Sequence, residues 1–167
     1  MRQGLGQVNR ATLIACAVLA SAACDERRGP RLDVGGAHIV LPAVPGRPGT
    51  LYFVIDAGDE PPVGAQRRIK GVKVEGAAYA EMHRSMTMHG MARMRPLTSV
   101  NVESGLVRFC PGGLHVMLYG LDARLKPGAS TRVHIRMNNG KHLDPDAMVV
   151  ALGEGVRAEP PFNCKAG

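Results

Sequence analysis

Two histidines and two methionines have side-chain types and a spacing that suit a metal ion. His83 is followed after ten residues by Met94, and after twenty more by the triplet His115-Val116-Met117. Thioether sulfur and neutral imidazole nitrogen form a soft donor set, which favours Cu(I) over the hard cations that take oxygen ligands. The pattern therefore predicts one Cu(I) ion held by His83, Met94, His115 and Met117.

The segment 81–94 contains five of the chain's nine methionines, separated by polar or small residues. A methionine run that fills a core is expected to alternate with Leu, Val or Ile, so core packing does not account for the whole segment. We expect Met82, and Met137 elsewhere in the chain, to pack in the core. The candidate additional ligands are Met86, Met88, Met91 and His89.

Short strands separated by turn residues dominate the sequence pattern. The chain has 21 Gly and 12 Pro, and about eight short runs are divided by turn signals such as Asn138-Asn139-Gly140. This pattern predicts an all-β domain, an antiparallel Greek-key sandwich or barrel. One predicted strand covers residues 77–83, and we expect the methionine-rich segment to leave its end as a loop closed by Met94.

The predicted strand 114–119 indicates which way the candidate ligands face. His115 and Met117 are two residues apart and so project from one face, whereas Leu114, Val116 and Leu118 project from the other. We therefore expect the ion at the surface of the barrel, where a partner can reach it. The other histidines are expected to be exposed or hydrogen-bonded, and they are His38, His89, His134 and His142.

The first residues have the composition of an export signal. Arg2 and Arg10 are basic, residues 11–20 are apolar, and Ser21-Ala22-Ala23-Cys24 supplies the small residues of a cleavage site. The apolar run is shorter than the roughly 20 residues that a bilayer requires. We expect an exported, periplasmic protein, with Cys24 either an ordinary N-terminus or the attachment point of a lipid anchor.

These features divide the chain into four parts. Residues 1–23 are predicted to be a signal peptide, 24–48 a tether with a first short strand, 49–156 the copper-binding β-barrel domain, and 157–167 a C-terminal tail.

The cysteines bear on the anchor. Cys16 lies in the leader, so the mature chain keeps Cys24, Cys110 and Cys164, and an odd number in an oxidising compartment leaves one thiol over. If Cys24 carries a lipid, Cys110 and Cys164 remain as a pair, and we expect them to form a disulfide.

Several functions are disfavoured. The formal net charge is +7, but the basic residues are scattered, Trp is absent and aromatic residues make up 4%, so the stacking platforms of single-stranded nucleic-acid binding are missing. The sequence has no recognisable catalytic triad, phosphate-binding loop or Cys-x-x-Cys motif. We expect neither nucleic-acid binding nor enzyme activity.

Residues from about 50 to 152 resemble the PCuAC family of periplasmic copper chaperones. The resemblance rests on the spacing of the four candidate ligands, on the segment 111–118, Pro-Gly-Gly-Leu-His-Val-Met-Leu, and on the segment 121–128. It implies a cupredoxin-like Greek-key β-barrel that binds Cu(I). It also implies delivery of copper to the CuA centre of cytochrome c oxidase, or to a Sco-type partner.

Cys110 keeps an alternative open. Blue-copper electron carriers take Cys, His and a weak axial Met from one loop and a second His from upstream, and Cys110, His115, Met117 and His83 follow that order. Strand geometry argues against it, because Met117 shares a face with His115 and cannot easily reach an axial position. A periplasmic copper buffer or resistance protein would use the same ligands as the chaperone.

Overall fold

The computed structural model describes residues 32–59 and 66–154, together with Cys164. Within these residues the chain forms eleven strands and no helix, which confirms the all-β prediction, and nothing there could cross a membrane as a helix. The predicted signal peptide and Cys24 lie outside this part of the chain. The strands are β1 (Asp33–Val40), β2 (Gly49–Asp56), β3 (Arg68–Val74), β4 (Ala77–Met88), β5 (Met91–Pro96), β6 (Val100–Asn101), β7 (Leu106–Phe109), β8 (Leu114–Leu121), β9 (Ser130–Met137), β10 (His142–Leu143) and β11 (Asp146–Val150).

The strands form one mixed sheet. Ten of them follow the order β5-β4-β8-β7-β2-β1-β11-β9-β3-β6, and β10 pairs with β9 off this path. Most pairs are antiparallel, but β1 runs parallel to β11, and β7 runs parallel to β8. The prediction of a purely antiparallel sheet is wrong at these two places, because hydrophobic alternation reports which face of a strand is buried and not which strand lies beside it.

The sheet curls so that strands from distant parts of the path share one core. Met82 of β4 and Ile69 of β3 belong to the same buried cluster although their strands are far apart in the hydrogen-bonded order. Phe53 and Phe109 stack in this core with ring centroids 4.2 Å apart. Met82 and Met137 are both buried here, which confirms their assignment to packing.

β1 lies in the middle of the sheet, between β2 and β11. His38 and Ile39 pair with both neighbouring strands, and the side chain of Ile39 is fully buried. The folded domain therefore includes Asp33–Val40, a segment that the sequence division grouped with the tether.

The methionine-rich segment is a β-hairpin, so the prediction of a loop is wrong. β4 continues to Met88, His89 and Gly90 form the turn, and β5 begins at Met91 opposite Met88. Both turn residues have positive φ, 51° and 76°, as a two-residue type I′ turn requires. The sequence pattern did not indicate the hairpin because β-branched or aliphatic residues do not alternate in this part of the two strands. The strands pair because the turn at His89 and Gly90 brings them side by side.

Cys110 and Cys164 form the expected disulfide, with their Cα atoms 5.5 Å apart. Cys110 directly follows β7 and is buried, so the bond attaches Cys164 to the core of the sheet. Because its sulfur is in a disulfide, Cys110 cannot supply the thiolate that the blue-copper alternative requires.

Reduction of this disulfide should lower the free energy of unfolding. The two cysteines are 54 positions apart in sequence, and opening a loop of that length is expected to cost about 4 kcal/mol of stability through the entropy of the unfolded chain. Urea denaturation with and without reductant measures the difference. The variant C110A/C164A should unfold at the same urea concentration in both conditions, and an equal midpoint for oxidised and reduced wild type would contradict the prediction.

Candidate metal centre

His83 and His115 lie directly opposite each other on the adjacent strands β4 and β8. Their ring centroids are 5.8 Å apart and their planes are tilted by 46°. Met82, which precedes His83 in β4, pairs with Val116, which follows His115 in β8. Both side chains belong to the buried core. The two imidazoles therefore form a pair on the opposite, outward face of the sheet.

The two predicted methionine ligands project from that same face. Met117 is two residues from His115 on β8, and Met94 of β5 lies opposite Ser85, which is two residues from His83 on β4. Side chains opposite each other, or two apart on one strand, share a face of a sheet. The structure thus brings the four predicted residues to one face over three adjacent strands.

The four side chains differ in exposure. His115 is 5% exposed and the His83 side chain 14%, and Met117 is partly buried, whereas Met94 is 60% exposed. Met117 and Met94 lie on opposite sides of the histidine pair, Met117 toward Glu81 and Met94 toward the hairpin turn. His83, His115 and Met117 therefore form an enclosed group, and Met94 stands at its open edge.

A hydrogen bond fixes the tautomer of His115. Its Nδ1 lies 3.1 Å from the carbonyl oxygen of Gly113, and because a carbonyl can only accept, Nδ1 must donate. The lone pair of the neutral ring is then on Nε2, which is the arrangement found in metal-binding histidines whose other nitrogen is held by a neighbour.

His83 has no such partner. Both of its ring nitrogens are buried and neither makes a hydrogen bond. The Glu81 carboxylate lies 3.5 Å from Nε2, within ion-pair range but longer than an ordinary hydrogen bond. A buried polar group without a partner costs about 1–3 kcal/mol. A metal ion on one nitrogen of His83 would supply the missing interaction.

Thr50 on β2 lies beside the sulfur of Met117. The two residues are opposite each other in the β2–β8 register, and the hydroxyl Oγ1 donates a weak hydrogen bond to Sδ over 3.9 Å. Thioether sulfur is a weak acceptor, so this contact orients the Met117 side chain without blocking the sulfur strongly.

The same face continues away from the hairpin with an aromatic pair. Tyr79 and Tyr119 stack with ring centroids 4.4 Å apart and an angle of 7° between the rings. Burial and the nearby Glu81 carboxylate raise the pKa of Tyr119. The sequence analysis gave Tyr79, Glu81 and Tyr119 no role. Each lies an even number of positions from His83 or Met117 in the same strand, and this spacing indicates the shared face.

The remaining histidines are not part of this site. His38 contacts the Gly36 carbonyl through Nδ1 at 2.9 Å, and His134 contacts the Asp144 carboxylate at 2.6 Å. His89 and His142 are exposed. Their predicted surface or hydrogen-bonded roles are thus confirmed.

Nitrogen, thiolate and carboxylate ligands alone do not make a metal site in the described residues. No three His, Cys, Asp or Glu side chains come together there in a way that could hold an ion.

The sequence of this chain matches a known protein family. Residues 32–149 match the family described as "Putative lipoprotein LpqE-like", and this match covers well over half of the sequence. The chain belongs to the LpqE-like family. No curated protein matches it.

Solved structures share the fold of this LpqE-like protein. The copper-bound PCuAC domain from PmoF2 is 16% identical, with a TM-score of 0.57 over 74% of this chain and 95% of that domain. The Cu(I) form of DR1885 from Deinococcus radiodurans is 23% identical, with a TM-score of 0.56 over 77% of this chain and 84% of that one. The LpqE-like chain therefore has the fold of PCuAC domains, as the sequence resemblance predicted.

Replacing His83 by Leu should stabilise the metal-free LpqE-like protein. H83L removes two buried nitrogens that have no partner, and we expect the free energy of unfolding to rise by about 1 kcal/mol. H115L is the matched control, since it removes the hydrogen bond to Gly113 and should lower stability. Urea denaturation in the presence of a copper chelator measures both, and an equal loss in the two variants would show that His83 is a structural residue.

Proposed function

We propose that this protein binds one Cu(I) ion through His83, Met94, His115 and Met117 and transfers it to an acceptor protein outside the cytoplasm. The observation that carries the proposal is the histidine pair: His115 has its tautomer set for binding through Nε2, and His83 has two buried nitrogens with no partner. Solved domains of the same fold include one with copper and one with Cu(I).

The donor set fits a monovalent soft ion. Two neutral imidazoles and two thioethers contribute no charge of their own to the ion, and neither sulfur must lose a proton to bind it. His83, His115 and Met117 are the enclosed ligands that hold the ion. They also limit the access of water, which favours a low coordination number.

Met94 is the ligand that we expect to leave first. It is 60% exposed and lies at the open edge of the site. Its strand, β5, pairs only with β4 among the described residues. An acceptor ligand can therefore replace the Met94 sulfur while the other three still hold the ion. Transfer by stepwise exchange follows, without release of free copper.

The acceptors that we propose come from the PCuAC resemblance. They are the CuA centre of cytochrome c oxidase or a Sco-type protein, either of which lies outside the cytoplasm. The export signal over residues 1–23 and a lipid anchor at Cys24 agree with the family description, and an anchor would raise the effective concentration of the site near a membrane-bound acceptor.

Removal of an enclosed ligand should weaken Cu(I) binding strongly. H83L and M117L should each lower the affinity at this site by at least about tenfold, because even residues outside the ligand shell of metal sites have effects of that size. M94L should weaken it less. An anaerobic titration against a Cu(I) chelator measures the affinity, and X-ray absorption at the copper edge reports the loss of nitrogen or sulfur ligands.

Met148 provides the matched control for these variants. It is 55% exposed on β11, outside the candidate site, so M148L should leave Cu(I) affinity unchanged. Wild-type affinity in both H83L and M117L would exclude the proposed ligand set.

Direct transfer should depend on the acceptor concentration. If the ion passes through a complex of the two proteins, its rate of arrival on a soluble CuA-type or Sco-type domain should rise with the concentration of that domain and exceed the rate of dissociation into a chelator. A transfer rate that does not change with acceptor concentration would mean that copper dissociates first. The protein would then be a copper buffer or resistance protein.

A further inference from the structure

Three more methionines share the opposite face of the β4–β5 hairpin. Met88 and Met91 lie directly opposite each other beside the turn, and Met86 is two residues from Met88 on β4. Their positions alternate with those of His83 and Met94, so the three thioethers project from the other side of the hairpin. They are therefore separate from the histidine pair.

Core packing does not explain Met88 and Met91. On this face Met82 is 5% exposed and belongs to the core, but Met88 is 47% exposed and Met91 is 55% exposed. The hairpin extends past the core at this point, and apolar side chains there gain little from burial. A β-branched residue would also suit an exposed strand better than methionine does, so packing and strand propensity do not account for Met88 and Met91. Met86, the third methionine on this face, is half-buried.

The register brings the three sulfurs within reach of one another. Side chains opposite each other across antiparallel strands have Cβ atoms about 5 Å apart, and diagonal neighbours lie about 7–8 Å apart. Methionine has a long unbranched side chain with three rotatable bonds. Met86, Met88 and Met91 can therefore direct their sulfurs to one point above this face.

We propose that Met86, Met88 and Met91 form a second site for a soft monovalent ion, Cu(I) or Ag(I), at the tip of the hairpin. Three thioethers offer no oxygen ligand and no negative charge, which excludes hard divalent cations. The neighbouring turn residue His89 is exposed. This site is independent of the four residues of the proposed function.

Arg93 makes the second site weaker than the first. It lies opposite Met86, and Arg84 and Arg95 pair on the same face two residues farther from the turn. These permanent positive charges oppose the binding of a cation. A weak and exposed site exchanges its ion quickly. The hairpin tip is thus suited to capture a soft ion from solution.

A titration with Ag(I), which can be carried out in air, tests the second site on the full-length mature protein. Methyl-labelled methionine is followed by NMR. We expect two equivalents to bind to wild type, with the Met86, Met88 and Met91 methyl signals shifting together in the second step. M88L/M91L should no longer bind the second equivalent of Ag(I), and H83L/M117L should still bind the equivalent at the hairpin tip. Loss of one site can therefore be distinguished from loss of the other.

Two controls distinguish a metal site from a hydrophobic patch. M148L should bind as wild type does, because this exposed methionine lies on β11. R93Q should tighten the second equivalent and leave the first unchanged, a response that an apolar patch would not give. The proposal is overturned if the three methyl signals do not shift together, or if M88L/M91L weakens the first equivalent.

Discussion

The register between β4 and β8 is the constraint on which both the core and the candidate site depend. Seven residue pairs align these strands, from Ala77 opposite Leu121 to Arg84 opposite Leu114. In this alignment Met82 meets Val116 inside the core, and His83 meets the imidazole of His115 outside it. A shift of one residue would turn every side chain of a strand to the other face, so burial of the core keeps the histidines paired.

The two histidines of this pair are supported differently. His115 is held by the Gly113 carbonyl, which receives a second hydrogen bond from the backbone N–H of Ser85 on β4. That carbonyl thus connects the His115 ring to the neighbouring strand. His83 is left without a hydrogen bond, a local cost that other parts of the fold must offset. The pair therefore combines a ring held in place by a backbone carbonyl with a ring whose two nitrogens make no hydrogen bond.

The β4–β5 hairpin gives one residue type three environments. Successive positions in a strand alternate between faces, so Met82 enters the core, Met94 joins the histidine face, and Met86, Met88 and Met91 occupy the face opposite Met94. The two-residue turn at His89 and Gly90 makes this possible, because it sets the pairing of β5 with β4. Methionine composition alone therefore does not define a site, and strand pairing assigns each sulfur its surroundings.

Several features of the fold and of the candidate site could be predicted from the sequence alone. Turn residues and alternation indicated an all-β chain, the two-residue step placed His115 and Met117 on one face, and the count of cysteines predicted the Cys110–Cys164 bond. The first two are local properties, since side-chain type and a period of two act over a few residues, whereas the disulfide followed from the number of cysteines left in the mature chain. They also indicated the soft donor set for a metal ion.

Only the tertiary structure decided which strands are neighbours. It set β1 parallel to β11 in the middle of the sheet, extended the methionine segment into a hairpin, and placed His83 opposite His115 with no hydrogen-bond partner. Such pairings join residues far apart in sequence, and they are selected by the packing of the whole core. A period of two states which way a side chain faces, but the identity of its neighbour across the sheet is a property of the folded chain.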